Sequence, residues 1–280
     1  MPTSRVVEYE RGGVKLVGEA HGDPAQRPVV LLHGGGQTRH AWGESAAKLA
    51  ERGYHAISMD LRGHGDSQWA GRGGYRMEEF VADLEHVAGT LDDRPVLVGA
   101  SMGGLTSLLA QGDNPELGSA VVLVDIATSA QVDGIKKIVK FMFAKPEGFE
   151  SLEEVADAIA AYQPHRKRPT NLEGLAKNVR KGEDGRYRWH WDPDFMVGNG
   201  PDDSPLRKDR LVEAARSLRV PTLLVRGKLS DIVGEGEARE FLEYVPHAEY
   251  VDVRDAGHMV AGDSNDVFSA AVIEFLERHL

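Results

Sequence analysis

The chain predicts an α/β fold built on a doubly wound, mostly parallel sheet, and three observations carry that prediction. Short, near-continuous apolar runs recur at Pro28–His33, Pro95–Gly99, Ala120–Asp125 and Thr222–Arg226. Such runs mark parallel strands covered on both faces, because residues pointing either way must be apolar. Between them lie stretches with helical spacing, so strand and helix alternate as βαβ units with right-handed crossovers. Finally, 280 residues at 41% hydrophobic content can bury a large core, as one domain or one domain carrying an insertion.

Composition narrows the function classes. With 44 acidic against 33 basic residues and a formal charge of -11, the chain lacks the basic face that nucleic acid or an anionic membrane requires. It contains no cysteine, which excludes disulfides, thiolate chemistry and cysteine-ligated metals. No H-E-x-x-H or other metal spacing occurs, and no glycine-rich stretch matches a phosphate-binding or dinucleotide-binding pattern. The start of the chain, Met1–Glu8, lacks an apolar leader core, and no apolar run approaches membrane-spanning length. The expectation is a soluble, cytoplasmic protein with no cofactor, no metal, and neither nucleic acid nor membrane as partner. Oligomeric state is open.

In chain order, Val6–Glu10 and Val14–Ala20 alternate apolar and polar residues around Arg11-Gly-Gly13, the pattern of a hairpin with one exposed face. The strand Pro28–His33 stops at Gly34-Gly35-Gly36. Helical spacing follows at Ala41–Ala50, strand pattern at Tyr54–Asp60, then a loop, Leu61–Ser67, and a helix at Met77–Leu91. After Ala120–Asp125 the alternation breaks. Gly134–Ala144, Ser151–Tyr162 and Asn171–Lys181 read as helices, with Ser151-Leu-Glu-Glu154 a capping box. Gly185–Asp192 reads as a short strand before a Pro/Gly/Asp-rich loop ending near Pro205. We therefore divide the chain into core (1–129), an inserted, mainly helical cap (130–210), and core again (211–280). The second part holds a helix at Leu206–Leu218, the strand Thr222–Arg226, a helix at Glu235–Tyr244, a strand at Glu249–Val253, and a closing helix at Val267–Leu280.

Chemistry concentrates at Gly99-Ala-Ser101-Met-Gly103. A strand leads in and a helix-compatible run leads out, the setting of a nucleophile elbow. Such a turn strains the serine backbone, lifts its Oγ above the sheet edge and places the next N–H at a helix N-terminus. Ser101 is the candidate nucleophile, and Met102 N–H a candidate oxyanion donor. Gly35, in the loop after the first core strand, supplies the second, because glycine lets backbone approach a carbonyl closely. A serine needs a base, and the base an acid to fix its tautomer. His258 is the base by position, late in the chain and in a loop beyond the last strand. Two carboxylates compete as the acid. Asp231 follows the strand Thr222–Arg226, and Asp125 ends Ala120–Asp125; both strand ends border the same crevice. His33 and His64 are expected to brace loops, and His165–Arg168 to be a solvated basic run. Trp189, His190 and Trp191 either line the substrate pocket or form the cap's own small core.

Taken together, the His33-Gly-Gly-Gly36 loop, Asp60-Leu-Arg-Gly-His-Gly-Asp-Ser67, Gly99-Ala-Ser-Met-Gly103, Ser230-Asp231 and Gly257-His258 resemble the α/β-hydrolase superfamily. The pattern is similar to its epoxide-hydrolase-like branch with a helical cap, and the resemblance covers nearly the whole chain outside that cap. It implies an eight-stranded sheet. It also favours Asp231 over Asp125, since the short loop holding Asp231 is the usual acid position, leaving Asp125 a structural part at the cap hinge. Epoxide hydrolases and haloalkane dehalogenases in that branch use an aspartate where this chain has Ser101, so the resemblance implies acyl transfer to water instead. The expected activity is hydrolysis of a small, largely apolar carboxylic ester or lactone by Ser101, His258 and Asp231, with Trp189 and Trp191 as substrate contacts. Phthalate-monoester hydrolases and zearalenone-opening lactonases look similar in layout. Cofactor-free perhydrolysis, C–C bond hydrolysis, and a slow-turnover ligand receptor are the alternatives.

Overall fold

The computed structural model of the chain describes residues 4–164, 168–197, 207–258, 260 and 265–280. Its strands are β1 (Arg5–Arg11), β2 (Val14–His21), β3 (Arg27–Leu32), β4 (Tyr54–Met59), β5 (Val96–Ala100), β6 (Ala120–Val124), β7 (Val179–Lys181), β8 (Tyr187–Trp189), β9 (Thr222–Gly227) and β10 (Glu249–Val253). Its helices are α1 (Gly43–Glu51), α2 (Met77–Ala88), α3 (Met102–Asp113), α4 (Val132–Met142), α5 (Leu152–Tyr162), α6 (Leu172–Leu175), α7 (Asp194–Val197), α8 (Lys208–Ser217), α9 (Glu235–Tyr244) and α10 (Asn265–His279).

Eight strands form one sheet in the order β1-β2-β4-β3-β5-β6-β9-β10. The β1–β2 and β2–β4 pairs are antiparallel, and every later pair is parallel. The sheet is covered on both sides because its strands are apolar on both faces. Val30, Leu32, Leu97, Val121 and Leu224 pack toward α2, α3, α8 and α9 in one core. Their chain neighbours Val29, Leu31, Val96, Val122 and Val225 point the other way, onto α1 and α10. Each such side chain contributes about 1.5–3 kcal/mol on burial. A one-residue slip would only exchange two apolar faces in the middle strands, so register is set elsewhere. The outer hairpin fixes it at one edge, where β1 pairs Arg5 with Ala20 and Arg11 with Val14 around a tight glycine turn.

Order β4-β3-β5 reverses the direction of winding at β3, so β3 and β5 meet at the switch point. The loops that leave their carboxyl ends open a crevice there, the usual place for a ligand in an open α/β sheet. Into the connection from β6 to β9 the chain inserts α4 to α7 and the antiparallel pair β7–β8. This segment packs its own small core of Phe149, Val155 and Val179.

The insert departs from the sequence reading in two respects. The helix expected over Asn171–Lys181 stops at Leu175, and Val179–Lys181 is a strand. The strand expected over Gly185–Asp192 shrinks to Tyr187–Trp189. Turn chemistry decides both: Gly185 takes φ 77°, and Gly182 N–H donates to Arg186 O at 2.8 Å. The Asp184-Gly185 pair thereby folds the chain into a hairpin, as Asp-Gly pairs do. The basic residues 165–167 and the loop 198–206 lie outside the described residues, as does Leu206 at the start of the helix expected there.

Candidate active site

Strand β5 ends at Ala100 and α3 begins at Met102, leaving Ser101 alone to turn the chain. Its backbone sits at φ 47°, ψ −115°, a region that costs a non-glycine residue on the order of 1–3 kcal/mol. The two flanking glycines are required by contact. A Cβ on Gly99 would stand 2.2 Å from Gly103 O, and one on Gly103 2.3 Å from Leu32 O. The turn is pinned by Ser101 N–H to Val124 O (3.2 Å) and Gly103 N–H to His33 O (3.1 Å). Strain at the serine is thus held by the two neighbouring strands.

The loop after β3 faces this turn; a Cβ on Gly34 would lie 3.2 Å from Ser101 Cβ. Two of its three glycine amides are already engaged. Gly34 N–H donates to Gln37 Oε1 at 2.9 Å, and Gly36 N–H to His64 Nε2 at 3.1 Å. Gly35 N–H has no partner among the described residues. Met102, the first residue of α3, has no carbonyl one turn back to accept its N–H. Both residues line the cavity that contains Ser101.

His258 also borders that cavity, and its Nδ1–H donates to Asp125 Oδ2 at 2.7 Å. Asp125 is completely buried. Its Oδ1 accepts Gly227 N–H at 3.0 Å, and its Oδ2 also accepts the Ser230 hydroxyl at 2.5 Å. Three donors therefore satisfy a buried carboxylate that would otherwise be costly to bury. Like Ser101, Asp125 stands at the carboxyl end of its strand with a left-handed backbone, φ 51°.

Asp231 is a correction to the sequence reading. Its carboxylate lies 2.8 Å from Lys137 Nζ, with 46% of the side chain exposed, whereas the hydrogen bond of His258 Nδ1–H goes to Asp125. Register along the loop is the reason. Ser230 turns inward, accepting Ile232 and Val233 N–H on its Oγ while donating to Asp125. The next side chain must then turn outward. Asp125 was legible as a strand-terminal carboxylate beside β5; Ser230 entered the sequence reading only as the neighbour of Asp231, with no role of its own.

The cavity measures about 640 Å³, within the range of small-molecule sites. Its polar end is the Gly34–Gln37 loop, Ser101 and His258. Elsewhere apolar and aromatic side chains from the insert dominate, including Phe141, Trp189, Trp191 and Phe195. Trp189 and Trp191 stack at 5.0 Å and 11°. Trp189 also packs edge-on against Phe149 of the insert's core, so one ring belongs to both the cavity wall and that core. Tyr162 lines the same wall, and burial, then the charge of Asp231, pushes its phenol up to about 12.

Behind the Gly34–Gly36 loop lie His33, His64 and His190, all buried. Burial is the main cause holding His33 down to about 4 and His64 to about 3, and it lowers His190 as well. His33 accepts Leu61 N–H on Nε2 (3.0 Å) and donates to Gly34 O (2.8 Å), so it braces two loops. Among the described residues no cluster of three or more His, Asp or Glu has the arrangement of a metal site. Nor is any helix among them long and apolar enough to cross a membrane.

Comparison with known proteins bears on the fold. Residues 27–264 match the model of the alpha/beta hydrolase fold family. The chain is 31% identical over 269 residues to Esterase Rv0045c of Mycobacterium tuberculosis, covering 94% of this chain and 86% of the relative. It is 27% identical to a 3-hydroxybutyrate-oligomer hydrolase of Cupriavidus necator, covering 85% and 84%. Among solved structures, E-2-(acetamidomethylene)succinate hydrolase superposes with a TM-score of 0.86 over 98% of this chain and all of that one; at 23% identity it speaks for the fold alone. A crystal structure of the mycobacterial esterase gives a TM-score of 0.76 at 27% identity, over 99% and 92%. The relatives are esterases and other hydrolases, which supports a hydrolase. With an eight-stranded, mostly parallel sheet, helices on both faces and the family model spanning its core, this chain belongs to the α/β-hydrolase fold family.

Proposed function

We propose that the protein is a cofactor-independent serine hydrolase of carboxylic esters with a large apolar portion, and that Ser101, His258 and Asp125 form its triad. The observation that supports this most directly is the buried Asp125 carboxylate accepting from His258 Nδ1 at 2.7 Å, on the edge of the cavity that contains Ser101. Because Nδ1 is engaged, Nε2 is the nitrogen left to act as base. Ser101 Oγ attacks the ester carbonyl while its proton passes to His258 Nε2. The negative charge moves to the carbonyl oxygen, where the N–H groups of Gly35 and Met102 and the positive end of α3 stabilise it. Collapse breaks the acyl–oxygen bond, and His258 returns the proton to the departing alcohol. Water, deprotonated by the same imidazole, then attacks the acyl-serine and releases the acid.

The insert acts as a cap in this reading. Its aromatic wall, Trp189 and Trp191 included, holds the apolar part of the substrate and keeps bulk water from the acyl-enzyme. An open-chain ester and a lactone present the same carbonyl to Ser101, and a panel containing both distinguishes them. In that panel the native protein turns over at least one apolar ester. Ser101→Ala lowers kcat by about 10⁶, as removal of a nucleophile that acts as a unit with its base does. A fluorophosphonate labels the native chain at Ser101 and leaves Ser101→Ala unlabelled. Ester turnover that survives intact in Ser101→Ala would end this proposal.

A further inference from the structure

We propose that His190 is a positioning residue for the oxyanion loop, through which the insert sets the aim of the Gly35 N–H. This inference rests on the esterase reading of the site. The loop Gly34–Gly36 is gripped on both sides of Gly35. On one side, Gly34 donates to Gln37 and accepts from His33 Nδ1–H at 2.8 Å. On the other, Gly36 N–H donates to His64 Nε2 at 3.1 Å, and Gly36 O accepts from His190 Nε2–H at 3.3 Å. His33 and His64 belong to the core, whereas His190 directly follows β8 of the insert. With the Gln37 N–H bond to Gly34 O at 3.0 Å included, the insert therefore holds one of the five bonds that fix the donor.

His190 is itself held. Its Nδ1 accepts Gly65 N–H at 2.8 Å, which leaves Nε2 as the protonated nitrogen that faces Gly36 O. Its backbone O accepts the Trp69 indole N–H at 3.3 Å. The following residues continue the clasp: Asp192 N–H donates to Gly63 O at 2.8 Å, and Tyr75 hydroxyl to Asp192 Oδ2 at 2.5 Å. Trp191 ring atoms would lie 3.4 Å from a Cβ on Gly36, so the insert also packs directly on the loop it bonds. The three imidazoles run in a row, with ring centres 5.2 Å apart for His33–His64 and 5.8 Å for His64–His190.

Each ring in the row accepts one backbone N–H, so each must be neutral; a protonated ring would aim a donor at a donor. Burial keeps the row neutral. Arg39 lowers His33 and Arg180 lowers His190 further, whereas Asp60 and Asp192 raise His64 and are outweighed by its burial. Arg39 is in turn paired with Asp60 and Asp66. His190 consequently acts as a fixed donor and not as a proton carrier.

Two substitutions separate its bonds. His190→Asn retains an acceptor for Gly65 but cannot reach Gly36, whereas His190→Gln extends an amide donor toward Gly36 O. His190→Asn is expected to lower kcat on an apolar ester by about ten- to a hundredfold, short of the loss of a whole oxyanion donor, with KM nearly unchanged. Affinity for a trifluoromethyl ketone, which forms a tetrahedral adduct, falls by the same factor. The deficit is constant from pH 6.5 to 8.5, and His190→Gln recovers most of it. Amide exchange of the 34–37 segment rises in His190→Asn at unchanged melting temperature. If the native protein turns over esters and His190→Asn matches it in kcat and in ketone affinity, the positioning role is overturned while the esterase reading stands. If the native protein hydrolyses no ester and Ser101 takes no fluorophosphonate, the esterase reading fails. Amide exchange then decides alone, and unchanged exchange at 34–37 overturns the role of His190.

Discussion

Asp125 and Asp231 show how little residue type settles and how much its surroundings do. Both are aspartates just beyond the carboxyl end of a buried strand, yet one is sealed behind an imidazole and the other pairs with Lys137 at the surface. Asp125→Asn should therefore lower kcat by about 10⁴ while leaving the melting temperature near native, because the amide can present the wrong tautomer partner to His258. Asp231→Asn should retain native turnover, and steady-state kinetics on both variants reverses the assignment if the losses are exchanged. Ser230 bonds Asp125 and takes two amides on the same oxygen. Ser230→Ala should cost about 1–3 kcal/mol in urea unfolding, since those amides lose their acceptor. Its kcat loss should be smaller than that of Asp125→Asn, because His258 and Gly227 still hold the carboxylate.

Among elements, the β5–α3 turn and the insert were read with different success. The turn was legible because its requirements are local: glycine two residues either side of the serine, a strand before and a helix after. Its rigidity is also local, as Gly103→Ala would press a methyl onto Leu32 backbone. That variant should lose about 3 kcal/mol or more in stability. Gly236→Ala makes a suitable control, because α9 is helical there and a Cβ meets nothing within 4 Å. It should gain about 0.5–1 kcal/mol from helix propensity, and chemical denaturation of the two variants side by side checks both signs. The insert was harder to read, because its short elements lean on one another across sequence. Lys181 ends a strand only because Tyr187 pairs with it, and no periodicity over Asn171–Lys181 announces a partner six residues on.

At the scale of the molecule, the row of buried histidines links stability to pH. His33 at about 4 and His64 at about 3 lie below the unfolded value of 6.5. Between those limits the unfolded chain binds more protons than the folded one. Their contribution is thus complete above about pH 6.5 and is lost progressively as pH falls toward 4 and then 3. The loss from His33 alone amounts to about 3 kcal/mol once pH is below its folded value. Urea midpoints at pH 7.5 and 5.0 test this, and equal midpoints would count against neutral, donor-braced rings. The alternation of apolar strand and amphipathic helix was enough, by itself, to settle the sheet, its two covering layers and the serine turn, since hydrophobic periodicity and glycine sterics act over a few residues. Which carboxylate stands behind His258, and which histidine of the insert reaches the Gly34–Gly36 loop, was decided only by tertiary structure. Those contacts join residues 133 and 154 positions apart, and nothing in local spacing dictates which of several similar side chains packing brings within 3 Å or so of its partner.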